Sequence, residues 1–128
     1  LVVEDVDQLI DFLKEAFDAL ETERIPGPDG SPTHAEVQIG DSRVMMGSAR
    51  GERGPIPAMV YIYTEDCDAA YRRALKAGAE SVMEPEDQFY GDRNAGVKGP
   101  QGNHWWIATH VEDVSRDELQ RRAAEKAR

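Results

Sequence analysis

The sequence predicts an α+β fold of two strand-helix-three-strand (βαβββ) modules in tandem, followed by a C-terminal helix. First, Glu4-Asp5-Val6-Asp7 has a counterpart in Glu65-Asp66-Cys67-Asp68, and each segment opens a helical pattern. Second, residues 33–39 alternate strictly between apolar and polar side chains, as a half-buried antiparallel strand does. Third, turn-forming residues follow at 40–41 and at 100–103. The same order of elements therefore occurs twice.

Composition restricts the classes of protein to which the chain can belong. Its 128 residues are the length of one ordinary domain, so residues 1–128 are expected to share a core. The formal net charge of −10 repels nucleic-acid phosphates, and no apolar run is long enough to cross a bilayer. Cys67 is the only cysteine, which fits a reducing compartment. We therefore expect a cytoplasmic protein with no nucleic-acid or membrane partner.

Each module contains one helix whose apolar residues recur at helical spacing. The two stripes consist of Val6, Leu9, Ile10, Leu13, Phe17 and Leu20, and of Cys67, Ala70, Tyr71 and Ala74. Asp5 is expected to cap the first helix, with Gln8 reaching back to the Asp5 backbone, and Gly78 to end the second. A third helix over residues 115–127 begins with a Ser115/Glu118 capping box. It has few apolar side chains and is expected on the surface.

The strands complete the two modules. Module one covers residues 1–47, and module two covers residues 58–110. Between them, residues 48–57 are rich in Gly, Arg and Pro and predict an exposed linker. On the last strand of module two, Trp105 is expected to be buried under a helix. Trp106 is expected to point to the opposite face.

The order of these motifs resembles the vicinal oxygen chelate superfamily, which includes glyoxalase I, bleomycin-resistance proteins and PhnB-like proteins. The resemblance is carried by His34-Ala35-Glu36 before Gly40-Asp41-Ser42, and by Phe89-Tyr90-Gly91-Asp92-Arg93 before Gly99-Pro100-Gln101-Gly102-Asn103. Gly99 stands where the family usually has Asp. The resemblance implies that both modules contribute strands to a curled, antiparallel-rich sheet of glyoxalase-like half barrels. The helices would lie outside and a cup inside.

The resemblance, together with strand alternation, assigns side chains to this cup. The candidate ligand-binding residues are His34, Glu36, Gln38, Met59, Tyr61, Tyr63, Tyr90, Arg93, His104 and Trp106. The aromatic residues could stack on a flat ligand, or they could be ordinary core side chains. Arg93 could clamp a carboxylate or phosphonate beside Tyr90, or it could simply hold its own loop.

The metal positions of the family are poorly matched. They fall on Met59, on Trp106 and on the Met45-Met46 pair, and a fourth would precede Leu1. Because the chain does not open with methionine, we expect further residues before Leu1. Thioethers and indole do not replace the hard ligands that Zn²⁺ or Fe²⁺ require, so no metal or cofactor is expected. A displaced site built from His34, Glu36 and His104 is the alternative.

These observations predict a small-molecule-binding protein that holds or sequesters its ligand without metal, as bleomycin-resistance proteins do. One alternative is a metal-dependent lyase, isomerase or dioxygenase of the same superfamily. It would use the displaced site or His34 and Glu36 as an acid-base pair. A regulatory dimer with a vestigial cup is a further alternative. The resemblance also implies a homodimer.

Overall fold

The computed structural model describes residues 1–50 and 54–127. The predicted linker, residues 48–57, therefore lies partly outside the described residues. The described elements are, in order, β1 (Val2–Val3), α1 (Val6–Phe17), β2 (Leu20–Pro26), β3 (Pro32–Ile39), β4 (Ser42–Ser48), β5 (Met59–Tyr63), α2 (Cys67–Lys76), β6 (Glu80–Asp87), β7 (Asp92–Lys98), β8 (His104–His110) and α3 (Arg116–Lys126).

The strands form two four-stranded mixed sheets with the same topology. Sheet one has the order β1-β4-β3-β2, and sheet two has the order β5-β8-β7-β6. In each sheet the first strand pairs in parallel with the last strand of its module, and the remaining pairs are antiparallel. Val2 of β1 also forms an isolated antiparallel bridge with Ile56, which lies between β4 and β5. The predicted α+β fold and its duplicated βαβββ order are confirmed, with each module forming its own sheet.

Short polar side chains begin all three helices. Asp5, Asp66 and Ser115 each accept a hydrogen bond from the backbone N–H three residues further on, which satisfies an otherwise unpaired donor. The predicted partner of the Asp5 N–H was wrong. Gln101, from the β7–β8 turn of module two, accepts that bond at 3.0 Å, and its amide group also contacts the side chain of Gln8. The N-terminus of α1 is therefore tied to module two.

The end of α1 also differs from the prediction. The helix ends at Phe17, because Asp18 adopts a left-handed conformation with φ of 54°. Leu20, expected in the buried stripe, instead begins β2 and is exposed. The apolar spacing alone could not reveal this left-handed residue.

The two modules are joined through their helix sides. Helix α1 contacts α2, and Trp105 of β8 lies fully buried against two rings of α1. Its ring centroid is 6.4 Å from that of Phe12 and 5.5 Å from that of Phe17. The expected burial of Trp105 is therefore observed, but the covering helix belongs to the other module.

The sheet faces opposite the helices remain uncovered within the described chain. We call the face that carries Met59, Tyr61, Tyr63, Asp92, Asn94, Gly96, His104, Trp106 and Ala108 the open face of sheet two, and the face that carries His34, Glu36, Gln38 and Met45 the open face of sheet one. Helix α3 has no buried residue in its described part. It is held by Arg122, which donates to the Phe89 carbonyl and contacts Glu112.

We expect Trp105→Ala to destabilise the whole chain, because the cavity would open where the modules meet. Loss of a buried Trp side chain costs about 3–5 kcal/mol of unfolding free energy, measured by urea denaturation. The control is Val111→Ala, at an exposed position, with an expected change below about 0.5 kcal/mol. A change as small for Trp105→Ala would mean that this contact does not join the modules.

Candidate functional site

The open face of sheet two presents aromatic and thioether side chains in register. Strand pairing places Met59 beside His104, Tyr61 beside Trp106, and Trp106 beside Gly96 on its other side. Met59 is 72% exposed, Tyr63 61% and Tyr61 42%. On the same strand, Val60 and Ile62 turn toward the core, so alternation has separated a packing face from a free one.

Two small residues shape this surface. Gly96 lies beneath the indole of Trp106, and a Cβ atom there would come within 2.5 Å of the ring. The ring can therefore lie flat across β7. Ala108 stands between Tyr63 on β5 and Asn94 on β7, and it is fully buried. A short side chain at this position leaves room for the tyrosine hydroxyls to reach β7.

Those hydroxyls converge on one buried carboxylate. Tyr61 Oη donates to Asp92 Oδ2 at 2.6 Å, and Tyr63 Oη donates to the same oxygen at 2.9 Å. The other carboxylate oxygen lies 3.3 Å from Nδ1 of His110. Asp92 is 4% exposed, so these contacts replace most of its hydration. The two rings also meet edge to face at 5.5 Å, an arrangement favourable for aromatic pairs.

Asn94 extends the network. Its Nδ2 donates to Tyr61 Oη at 3.1 Å and to Tyr90 Oη at 2.7 Å. Because the proton of Tyr61 is already directed at Asp92, the Asn94 amide must present its NH₂ group to the tyrosine oxygen. Asn94 Oδ1 then has no hydrogen-bond partner among the described residues, although the residue is only 3% exposed. The network therefore contains one unused acceptor.

The protonation of the network follows from these contacts. Burial raises the pKa of Asp92, but hydrogen bonds from Tyr61, Tyr63 and His110 outweigh it, and the pKa lies below its ordinary value. Burial and then the bond to Asp92 raise the pKa of Tyr61, and the bond to Asp92 raises that of Tyr63. At neutral pH the cluster therefore holds one ionised carboxylate and protonated phenols.

His110 lies at the edge of this cluster between two carboxylates. Its Nε2 is 2.7 Å from Asp113, and that contact, followed by the one to Asp92, raises the pKa of the imidazole. A cleft of about 1020 Å³ begins beside it, between the modules. Tyr63 and His110 line one side of this cleft, and Gly40 and Asp41 of the β3–β4 turn line the other.

The open face of sheet one carries the predicted polar residues. His34, Glu36 and Gln38 are half-buried and alternate with the buried Ala35 and Val37. The Glu36 carboxylate accepts from Thr22 at 2.7 Å and from Arg43 at 2.9 Å, and the Thr22 bond is the main cause of its lowered pKa. Gln38 donates to the Gly40 carbonyl. None of these three bonds to sheet two.

The structure corrects the expected position of Arg93. Its guanidinium donates two hydrogen bonds to Asp68 of α2, at 2.8 and 3.0 Å, and a third to Asp87. It therefore lies on the helix side of β7 and not on the open face. The two carboxylates raise its pKa further, and the paired Arg93 lowers that of Asp68. Tyr90, expected beside Arg93, instead contacts Asn94.

Comparison with known proteins assigns the family. Residues 1–107 match the family model of the glyoxalase/bleomycin resistance protein/dioxygenase superfamily. The chain belongs to this superfamily. It is also similar to uncharacterized proteins of Mycobacterium bovis (Mb0911c) and Mycobacterium tuberculosis (Rv0887c), each 39% identical over 131 residues. The match covers 94% of this chain, 86% of the M. bovis protein and 77% of the M. tuberculosis protein. The predicted family is confirmed.

Solved structures agree with this glyoxalase-superfamily fold. TioX from Micromonospora sp. ML1 matches with a TM-score of 0.75 and 26% identity, over 87% of this chain and 94% of TioX. A glyoxalase/bleomycin resistance protein/dioxygenase family enzyme of Burkholderia phytofirmans matches with a TM-score of 0.69 and 17% identity, over 87% and 94% of the two chains. At that lower identity the likeness concerns the fold alone.

The residues at the superfamily metal positions do not suit a hard metal ion. By the resemblance, two of them fall on Met59 and Trp106 and a third on the Met45-Met46 pair, of which Met45 is exposed and Met46 is buried in the core. Within residues 1–50 and 54–127, no group of three His, Cys, Asp or Glu side chains has an arrangement that could hold a metal. His34, Glu36 and His104 are not brought together. We derive no chemistry through a metal from this superfamily member.

Sequence reasoning overlooked three residues of the network in this glyoxalase-superfamily chain: Asp92, Asn94 and His110. The signal was available in the sequence, because Arg93 alternates in phase with Ala95 and Val97, whose apolar side chains indicate the core face. Strict alternation then places Asp92 and Asn94 on the open face. The single cysteine, Cys67, is buried, and burial raises the pKa of its thiol. The described helices include none long and apolar enough to span a membrane.

We expect the network to stabilise this superfamily member except at low pH. A carboxylate with a lowered folded-state pKa contributes its full stability above the unfolded value of 3.8, and loses it as pH falls through the folded value. The difference in unfolding free energy between the wild type and Asp92→Asn should be greatest near pH 5. It should shrink below about pH 4, as Asp92 is protonated, and also as pH rises through the raised pKa of His110, because the neutral imidazole no longer pairs with Asp92 as a charge. Urea denaturation at several pH values measures it. Parallel curves down to pH 2 would contradict the assigned ionisation.

Proposed function

We propose that this protein binds a small aromatic molecule against the open face of sheet two. The observation that carries the proposal is the juxtaposition of exposed rings with the buried hydrogen-bond network beneath them. Tyr61 and Tyr63 are exposed at their ring faces but fixed at their hydroxyls by Asp92. Apolar surfaces with a few fixed polar groups are typical of ligand sites.

The fixed hydroxyls support binding because they lower its entropic cost. A free side chain at a binding surface loses about 0.5–1.5 kcal/mol of rotamer entropy when a ligand immobilises it. Tyr61, Tyr63 and Trp106 are already held, the first two by Asp92 and the third above Gly96. Rings of this kind stack on flat ligands without further ordering.

We propose that a second copy of the chain completes the site. The modules of one chain join through α1, α2 and Trp105, so both open faces remain uncovered. Met59 is 72% exposed and Leu20 68%, which leaves large apolar side chains in water on both sheets. If the open face of sheet one in one copy faced sheet two of the other, His34, Glu36 and Gln38 would complete the cup. The cup would then form between subunits.

The proposal is for binding and sequestration and assigns no reaction. The superfamily is named for both bleomycin resistance proteins and dioxygenases, so membership alone does not decide between binding and catalysis. What supports binding is that Glu36, the predicted acid-base candidate, is paired with Thr22 and Arg43. A free buried Cys67 fits the predicted cytoplasmic location.

Binding can be tested with 1-methylnaphthalene as a neutral aromatic probe in ¹⁵N-edited NMR titrations. The indole N–H of Trp106 should shift, whereas that of Trp105, buried on the helix side, serves as an internal reference. Tyr61→Phe should weaken binding about three- to tenfold, because its ring loses the bond to Asp92. Arg93→Ala is the matched control on the other face. It should lower thermal stability and change affinity by less than about twofold.

Two results would argue against this site. A probe that shifts the Trp105 and Trp106 resonances equally would bind elsewhere or unfold the protein. A larger loss of affinity in Arg93→Ala than in Tyr61→Phe would instead support the hypothesis that Arg93 clamps a carboxylate or phosphonate of the ligand.

We expect light scattering at micromolar concentration to give a mass of about twice 14.2 kDa. Met59→Glu should shift the protein toward monomer, because it places a charge in the middle of the buried interface. Val111→Glu, at another exposed apolar position, is the matched control and should remain dimeric. A wild-type mass near 14.2 kDa contradicts the dimer.

A further inference from the structure

We infer that the ligand of the open face of sheet two is a cation, an aromatic or alkylated ammonium carrying an N–H donor or a quaternary nitrogen. This inference rests on the proposed function and specifies the chemical class of its ligand. Three independent features of the described residues support it: the charges on this face, the electronic state of the two tyrosines and the unused acceptor of Asn94.

The charges on this face are predominantly negative. Asp92 lies behind the tyrosines, and Glu86 pairs directly with Asn94 across β6 and β7, which puts its side chain on the same face. Arg93 is turned to the helix side, where Asp68 and Asp87 hold it. Lys98 shares the open face but lies six residues from Asp92, about 20 Å along the strand. An anionic ligand would therefore be repelled by the charges of Asp92 and Glu86.

His110 is the remaining cationic candidate near Asp92. It lies between Asp92 and Asp113, and both carboxylates favour its protonated form. Even when charged, it faces two acids, so this cluster is negative or neutral and never positive. It offers no site for a carboxylate or phosphate ligand.

The tyrosine rings are suited to a cation. Each hydroxyl donates to the same Asp92 oxygen, and a phenol that donates to a carboxylate gains electron density in its ring. Electron-rich ring faces attract ammonium groups within about 6 Å of the centroid. Trp106, which has the strongest cation–π face of the natural side chains, lies beside Tyr61 in the next strand. The edge-to-face pair of Tyr61 and Tyr63 therefore shares its sheet face with a third ring, which lies over Gly96.

The unused acceptor points the same way. Asn94 Oδ1 is buried and finds no donor among the described residues, while both hydrogens of Nδ2 are taken by Tyr61 and Tyr90. An unpaired buried acceptor is costly, and a ligand N–H would satisfy it. The network therefore lacks a donor and not an acceptor, and this feature favours an ammonium that carries an N–H over a quaternary one.

Three probes with the same fused-ring body separate the charge from the stacking. They are 1-methylquinolinium, its neutral isostere 1-methylnaphthalene, and the anion 1-naphthoate, titrated in 0.15 M salt, where long-range attraction to the net charge is screened. We expect the cation to bind about tenfold more tightly than the neutral isostere, and the anion most weakly. Trp106 N–H shifts report occupancy of this face.

Paired variants assign the preference to Asp92. Asp92→Asn should bring the cation and the neutral probe within about twofold of each other, because the carboxylate that enriches the rings is gone. Asp11→Asn makes the same change in net charge at an exposed position of α1, and it should keep the tenfold preference. If the neutral probe binds as tightly as the cation, or the anion binds best, the inferred ligand class is wrong and the proposed site stands. If all three fail to shift Trp106, the proposed function fails as well.

Discussion

The packing of Trp105 against Phe12 and Phe17 fixes how the two modules are joined. It thereby decides which faces of the sheets are buried and which are left open. It joins the two modules through their helix sides, and this contact buries the largest side chain of the core. Gln101 strengthens the junction by accepting from the Asp5 N–H at the start of α1. Because the apolar surfaces of the helices are buried in this junction, the sheet faces on the opposite side are free to make other contacts. The position of the open faces is thus a consequence of core packing.

In sheet two, the two faces of one strand have different roles. On β7, Ala95 and Val97 pack in the core, while Asp92 and Asn94 organise the tyrosines on the open face. The residues that organise the site are buried, and the residues offered to a ligand are exposed. A single sheet can therefore carry a rigid aromatic surface. The buried polar residues hold the rings in place, so no second layer has to pack on top of them.

Much of this architecture could be predicted from the sequence, because local patterns encode it. The duplicated helix starts at Asp5 and Asp66 and the alternation over residues 33–39 were sufficient for the two modules and for the faces of β3, β5 and β8. Where prediction failed, the cause was a contact distant in sequence. Arg93 was placed by a motif and not by its register, and the ion pair with Asp68 of α2 shows its true face. The Gln101–Asp5 bond likewise joins residues 96 positions apart, whereas Asn94 was missed although the alternation along β7 places it on the open face.

Helix α3 lies on the surface, but it contacts the turn that carries Tyr90, a residue of the hydrogen-bond network. It buries no residue in its described part, yet Arg122 grips the carbonyl of Phe89, the residue next to Tyr90 in the turn that covers Asn94. Helix α3 thus supports the β6–β7 turn from outside the core. A change in the length or charge of this helix would leave the core intact, because its described part buries no residue. Because α3 lies beyond residues 1–107, which match the family model, the turn that carries Tyr90 is held in part by a segment outside that match.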